Sequence, residues 1–246
     1  MKILALDTST EYCSAAVWID GDVEVRETRA GQSHSDLLLG MIDELLKSRA
    51  LSPRDLDGIA YGEGPGSFTG LRIACGVVQG LAFGADLPVV GVGTLLAMAA
   101  GSGAERVVCC VDARVHEIYH AAFRRVAAGE RTAETEGFAR YPHPSFNGGW
   151  RVVHEPSLCA PGAAPGLPGE GWLACGSGFR AYPDELEQHY AGKLAAIDLE
   201  LYPHARDIAA LAAPRFAAGL GVSAEEAAPV YLRDKVALRI DERANR

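Results

Sequence analysis

ILALD (3–7) is an apolar run of strand length, and the polar turn DTST follows it. CSAAVWI (13–19) reads as a second strand, Asp20-Gly21-Asp22 as a hairpin turn, and VEVRET (23–28) as a third, alternating strand. The chain therefore opens as an antiparallel meander. The period then changes. Across SHSDLLLGMIDELLKSRAL, Leu37, Leu38, Met41, Ile42, Leu45 and Leu46 recur at helical spacing, with Ser33 or Ser35 placed to cap. LDGIAYG predicts a short strand, residues 68–84 a second helix, and LPVVGV (87–92) a buried strand. A meander followed by strand, helix and strand predicts a mixed sheet with helices packed on it.

A comparable opening recurs further on. RVVCCVDA (106–113) and HEIYHAAFRRV (116–126) repeat strand, Asp-containing turn, strand, which predicts two lobes on one plan. We divide the chain at 1–103 and 104–246. PSLCAPGAAPGLPGEG (156–171) reads as loop, WLACGSGF (172–179) as strand and glycine turn, and 206–220 as an Ala-rich helix placed to pack back on the first lobe. APVYLRDKVAL (228–238) has no assigned state.

Composition narrows the function classes. The chain has 246 residues, 48% of them hydrophobic, which suits a packed globular protein. Its net charge of −9, with no basic run, argues against direct nucleic-acid binding. Arg233, Lys235, Arg239, Arg243 and Arg246 are offset by Asp234, Asp241 and Glu242. The N-terminus does not read as a signal peptide, and no run reaches about 18 unbroken apolar residues. A cytoplasmic protein is expected. The six cysteines contain no C-x-x-C spacing and read as small buried hydrophobes.

Two motifs carry candidate chemistry. His116, Glu117 and His120 have the H-E-x-x-H spacing of zinc peptidases, which functions only on a helix. Val115, Ile118, Tyr119 and Phe123 favour a strand instead. In a strand the two imidazoles stand roughly 13 Å apart, too far for one zinc. No third ligand stands at a known spacing. The second motif is GEGPGSFTG (62–70), which is neither a Walker loop nor a dinucleotide fingerprint. It reads either as a tight turn or as a backbone cradle for an anion.

The helix after this loop has apolar residues reaching beyond one stripe: Ile73, Val77 and Leu81 on one side, Leu71, Cys75, Val78 and Ala82 on another. Gly76, Gly80 and Gly84 stand four apart. Interior glycines cost up to about 1 kcal/mol each against Ala, so a close helix contact is expected in return. Two readings stay open: packing against the first helix within the chain, or a subunit interface made of both helices. The interface reading assigns Leu38, Met41, Leu45, Ile73, Gly76, Val77, Gly80 and Leu81 to the partner face.

ILALDTSTEYCSAAV, HSDLLLGMIDELL, GPGSFTGLRIACGVVQGLAFG, LPVVGVGTL and VDARVHEIYHA together resemble the TsaB (YeaZ) family, nearly continuously from residue 1 to about 123. CGSGF, the Ala-rich helix and PVYLR extend the likeness more patchily. The resemblance implies an ASKHA fold, like actin and sugar kinases, with two related lobes. It implies a non-catalytic subunit that pairs with the catalytic paralogue TsaD and works with the ATPase TsaE. Those proteins form threonylcarbamoyladenosine beside the tRNA anticodon. The shared dimer surface of the family uses the two helices above, and self-association through it is a family habit. TsaD-like chains carry a metal-binding H-x-x-x-H whose positions fall here on Thr94 and Met98, poor replacements for two imidazoles. No cofactor is therefore expected in this chain, with metal and ATP left to its partners and tRNA reached indirectly. Asp7 with Thr8, and Gly176 with Gly178 in CGSGF, stand where ASKHA proteins hold phosphates. They read either as a weak nucleotide site or as ordinary turns left by ancestry. The rival enzyme readings are a metal-dependent peptidase through His116 and His120, or an ATP-dependent phosphotransferase through Asp7.

Overall fold

The computed structural model describes residues 1–31, 33–126 and 149–233. Among the described residues, ten strands form two five-stranded mixed sheets. The first contains β1 (Lys2–Asp7), β2 (Tyr12–Ile19), β3 (Asp22–Arg29), β4 (Gly58–Gly64) and β5 (Val89–Gly93), in the order β3-β2-β1-β4-β5. The β1–β2–β3 meander is antiparallel, and β1, β4 and β5 run parallel. The second contains β6 (Arg106–Arg114), β7 (Glu117–Arg125), β8 (Trp150–Cys159), β9 (Trp172–Cys175) and β10 (Leu194–Asp198), in the order β10-β9-β6-β7-β8. Its meander is β6–β7–β8, and β9 and β10 extend it in parallel. The two sheets thus share one strand plan.

Alternation within the strands sets the layers. Ile3 and Ala5 of β1 face one side, with Val90 and Val92 of β5. That side meets Val107 and Cys109 of the second sheet through α3 (Thr94–Gly101) and α6 (Ala205–Ala217). Leu4, Leu6, Ala15 and Val17 face the other side, beneath α1 (His34–Ser48) and α2 (Phe68–Ala85). Val108, Cys110 and Ile118 face the outer layer of the second sheet, which includes α4 (Ser177–Ala181) and α5 (Pro183–His189). The order is helices, sheet, helices, sheet, helices, and the middle layer joins both lobes. α6 comes last in the sequence yet packs on β1, β2, β4 and β5 of the first sheet.

Local chemistry explains the main boundaries. Asp20 and Gly21 both take positive φ (49° and 101°), the conformation a two-residue hairpin needs. α1 buries His34, Leu38, Ile42, Leu45 and Leu46 as one stripe. α2 is capped by Ser67, whose Oγ accepts from the Gly70 N–H at 3.3 Å, and ends at Asp86 in the left-handed region. Residues 156–159 are not loop: they complete β8, and only Pro161–Ala163 onward leaves the sheet. β8 is an edge strand, where Pro156 costs the ladder nothing on its open side.

Candidate functional site

The outer face of α2 carries three glycines four residues apart. Gly76, Gly80 and Gly84 are exposed, and a Cβ built on any of them meets nothing within 4 Å. The glycines therefore do not serve a close contact with α1, although the two helices are neighbours. Ile73, Val77 and Leu81 flank this open track and are half-buried against the core below. α2 has the length and apolarity of a membrane span, but Leu71, Ala74, Cys75, Val78 and Ala82 commit one side of it to the sheet.

The α1 contribution needs correction. Leu38 and Leu45 are fully buried in the first lobe's core and cannot touch a partner. Met41 is half-buried. The leucine that α1 does expose is Leu39, 55% accessible, and on α2 the aromatic ring of Phe83 is 74% accessible. Both escaped the sequence assignment. Leu39 sits among Asp36, Gly40 and Asp43, an apolar residue on an otherwise polar face, and Phe83 lies seven residues beyond Gly76 on the glycine side. Those offsets are the signal that would have found them.

Between the lobes lies a cleft of about 990 Å³, lined in part by Ser9, Thr10, Ser67, Asp112, Ser177 and Arg180. The nucleotide candidates relate to it unevenly. Asp7 is buried behind it, with Oδ1 accepting from the Ser9 N–H (3.0 Å) and hydroxyl (2.9 Å). Its Oδ2 has no hydrogen-bond partner among the described residues. Burial pushes the Asp7 carboxyl from 3.8 up to about 7, against the opposing Ser9 hydrogen bonds. Thr8 is also buried, and its hydroxyl donates to the Gly70 carbonyl at 2.7 Å, tying β1 to α2. Gly176 borders the cleft with φ 100°, and a Cβ there would meet the Cys110 carbonyl at 2.5 Å. Gly178 is pressed against the same carbonyl, 2.7 Å from its would-be Cβ. Backbone packing alone explains both glycines.

The H-E-x-x-H residues are separated by the hairpin. Residues 117–125 form β7, as the β-branched residues predict. His116 lies before the strand, in a turn where Arg114, Val115 and His116 all take positive φ (64°, 56° and 58°). It is exposed and pairs with Glu185 at 3.2 Å. His120 is fully buried on the β7 face shared with Ile118 and Ala122. Its pKa falls from 6.5 to about 3, chiefly through burial and then through repulsion from His154 and His189. Thr94 opens α3 and donates to the Pro65 carbonyl at 2.5 Å, and Met98 is buried one turn later. Among the described residues no group of three or more His, Cys, Asp or Glu is placed to hold a metal.

The duplicated sheet plan, the helical middle layer and the interlobe cleft define an ASKHA-type α/β protein, the class that contains actin and the sugar kinases. The family model "TsaD: tRNA N6-adenosine threonylcarbamoyltransferase" matches residues 25–239. The tRNA threonylcarbamoyladenosine biosynthesis protein TsaB of Escherichia coli (strain K12) is 39% identical over 96% of this chain and 96% of its own length. The protein of the same name from Haemophilus influenzae is 35% identical, over 96% and 95%. The solved structure of YeaZ from Pseudomonas aeruginosa superimposes with a TM-score of 0.78 at 35% identity, covering 94% of this chain and 99% of that one. The chain belongs to the TsaB (YeaZ) family and to threonylcarbamoyladenosine biosynthesis on tRNA.

Proposed function

We propose that this chain is a non-catalytic subunit whose α2 face docks a TsaD-like catalytic paralogue, with a TsaE-like ATPase joining the pair in the cytoplasm. The observation that carries the reading is the open track of Gly76, Gly80 and Gly84, bordered by Ile73, Val77 and Leu81 and by the exposed Phe83. Gly76 and Gly80 in the interior of α2 weaken an isolated helix, and no contact within the described chain offsets that cost. A second helix laid along the track brings the two backbones close and covers apolar surface on both sides. The same face serves a second copy of the chain when the paralogue is absent. Thr94 and Met98, which take the positions of a metal-binding His pair in the paralogue, support placing the reaction on the partner. The net charge of −9 supports leaving most tRNA contacts to it as well.

The test is co-purification with TsaD-like and TsaE-like proteins, followed by tRNA modification with and without this chain. Gly80→Leu fills the track without touching the core. Co-purification and modification are expected to fall together in that variant. Undiminished modification with Gly80→Leu, or modification that proceeds equally well without the chain, refutes the reading.

A further inference from the structure

The last described segment, 227–233, crosses from one lobe to the other. On the first lobe it is fixed at Ala227, Ala228, Val230 and Tyr231. The Ala227 carbonyl accepts from Gln79 Nε2 (2.9 Å) and Cys75 Sγ (3.4 Å) of α2. The Ala228 carbonyl accepts from the Tyr61 hydroxyl (3.0 Å), and the Val230 N–H donates to the Glu63 carbonyl (2.6 Å). Tyr231 then lies on Phe68, ring centroids 5.4 Å apart, while its hydroxyl accepts from Arg72 Nε at 2.9 Å. Two residues later the chain has reached the second lobe. Arg233 donates to the Ala113 carbonyl (3.0 Å) and pairs with Glu117 at 2.6 Å. Tyr231 and Arg233 both line the interlobe cleft.

What Arg233 grips is a turn in an unfavourable conformation. Val115, β-branched and 72% accessible, sits at φ 56° between two other left-handed residues. Such a conformation persists only where surrounding contacts over-determine it. Those contacts are Arg233 on the Ala113 carbonyl and Glu117, the Asp112 carboxylate accepting from the Arg114 N–H (2.9 Å), and His116 on Glu185. Asp112, Arg114, Glu117 and Glu185 belong to the second lobe, and Arg233 ends the segment that is anchored on the first.

We propose that residues 227–233 form an interlobe latch, anchored on the flank of α2 and closed by Arg233 on the β6–β7 turn. One guanidinium nitrogen, Nη2, makes both contacts, meeting the Glu117 carboxylate and the Ala113 carbonyl at once. The pair is half-hidden, with the two side chains 21% and 33% accessible, so bulk water only partly competes for it. The anchors Cys75 and Gln79 immediately precede Gly76 and Gly80, so the latch links the open face of α2 to the second lobe.

Hydrogen–deuterium exchange of the intact chain tests this, comparing wild type with Arg233→Ala and Glu117→Gln. Arg233→Ala, which removes both the bond to the Ala113 carbonyl and the partly exposed pair with Glu117, is expected to speed exchange at residues 114–117 and at Val230 by roughly tenfold. Amides of β1 and α6 keep their wild-type rates. Glu117→Gln, which leaves the Ala113 carbonyl bond in place, gives a smaller increase at the same amides. Unchanged exchange at 114–117 in Arg233→Ala overturns the latch. So does an increase at 114–117 that leaves Val230 untouched, or a uniform increase across the chain.

Discussion

The Asp7 carboxyl lies directly over Gly62, so close that a Cβ at residue 62 would collide with Oδ2. The contact joins the ends of β1 and β4 at the back of the cleft, and it places an acid where water does not reach. Burial raises its pKa from 3.8 to about 7. Between those values the unfolded chain gives up the proton and the folded chain keeps it. The stability tied to the protonated form is thus complete below about pH 3.8 and is lost as pH rises towards 7. The slope is at most about 1.4 kcal/mol per pH unit. Asp7→Asn keeps the shape and the acceptor for Ser9 but cannot ionise. Its advantage over wild type in urea unfolding should widen from pH 4 to 7. A constant difference between the two proteins over that range would show that Asp7 ionises normally in the fold.

His120 works in the opposite direction. Its pKa falls from 6.5 to about 3, so the unfolded chain takes up a proton below pH 6.5 that the native imidazole refuses. Stability is complete above about pH 6.5 and declines as the solution is acidified, again by up to about 1.4 kcal/mol per unit. Neither ring nitrogen has a hydrogen-bond partner among the described residues. Replacing an unsatisfied polar ring by an apolar group of similar volume is close to neutral or stabilising. His120→Leu should therefore match or exceed wild type at pH 7, with a margin that grows between pH 6.5 and 5 in thermal unfolding. A loss of about 2 kcal/mol or more at pH 7, the usual penalty of a broken buried network, would overturn this account.

Much of this architecture is legible in the sequence, and the failures have identifiable causes. ILALD, CSAAVWI and VEVRET announce their strands because each is short, apolar or alternating, and closed by a turn. α3 gives no such signal. Thr94 through Ala99 are all buried, so the helix is surrounded and shows no amphipathic stripe. Pro156 and the glycines beyond it mask the end of β8, because a Pro on an edge strand reads like a Pro in a loop. On α1, helical spacing identifies the leucines but not their direction. Leu38 turns to the sheet and Leu39 turns to solvent, and only the charged neighbours of Leu39 distinguish them. The glycine track of α2 is plain in the sequence, and its open surroundings are visible only once the chain is folded.

The two classes of site residue should separate cleanly by experiment. Leu38→Ala and Leu45→Ala remove fully buried side chains from the first lobe's core, with expected losses of about 2–5 kcal/mol each. Gly76→Ala and Gly80→Ala add a methyl into open space on a helix, with expected gains of about 0.5–1 kcal/mol each. Chemical denaturation of the isolated chain measures all four. Destabilisation by Gly76→Ala or Gly80→Ala at a concentration where sedimentation finds only single chains would mean that the track is filled from within the molecule.

Gly176 and Gly178 provide the reverse case. Alanine at 176 must accept φ 100° and a Cβ 2.5 Å from the Cys110 carbonyl, and alanine at 178 brings its Cβ to 2.7 Å from the same atom. The obstacle is backbone of β6, in the centre of the second sheet, so it has little room to yield. Each substitution should cost about 1–3 kcal/mol, with Gly176→Ala the costlier because strain adds to the clash. If the glycines are kept for this packing and not for a phosphate, the loss is the same with or without ATP in thermal unfolding. A nucleotide that docked on this turn would stabilise wild type as its concentration rose past Kd and leave the alanine variants behind. An ATP-dependent rise in Tm confined to wild type would return the turn to the list of ligand sites and, with it, the phosphotransferase reading of Asp7.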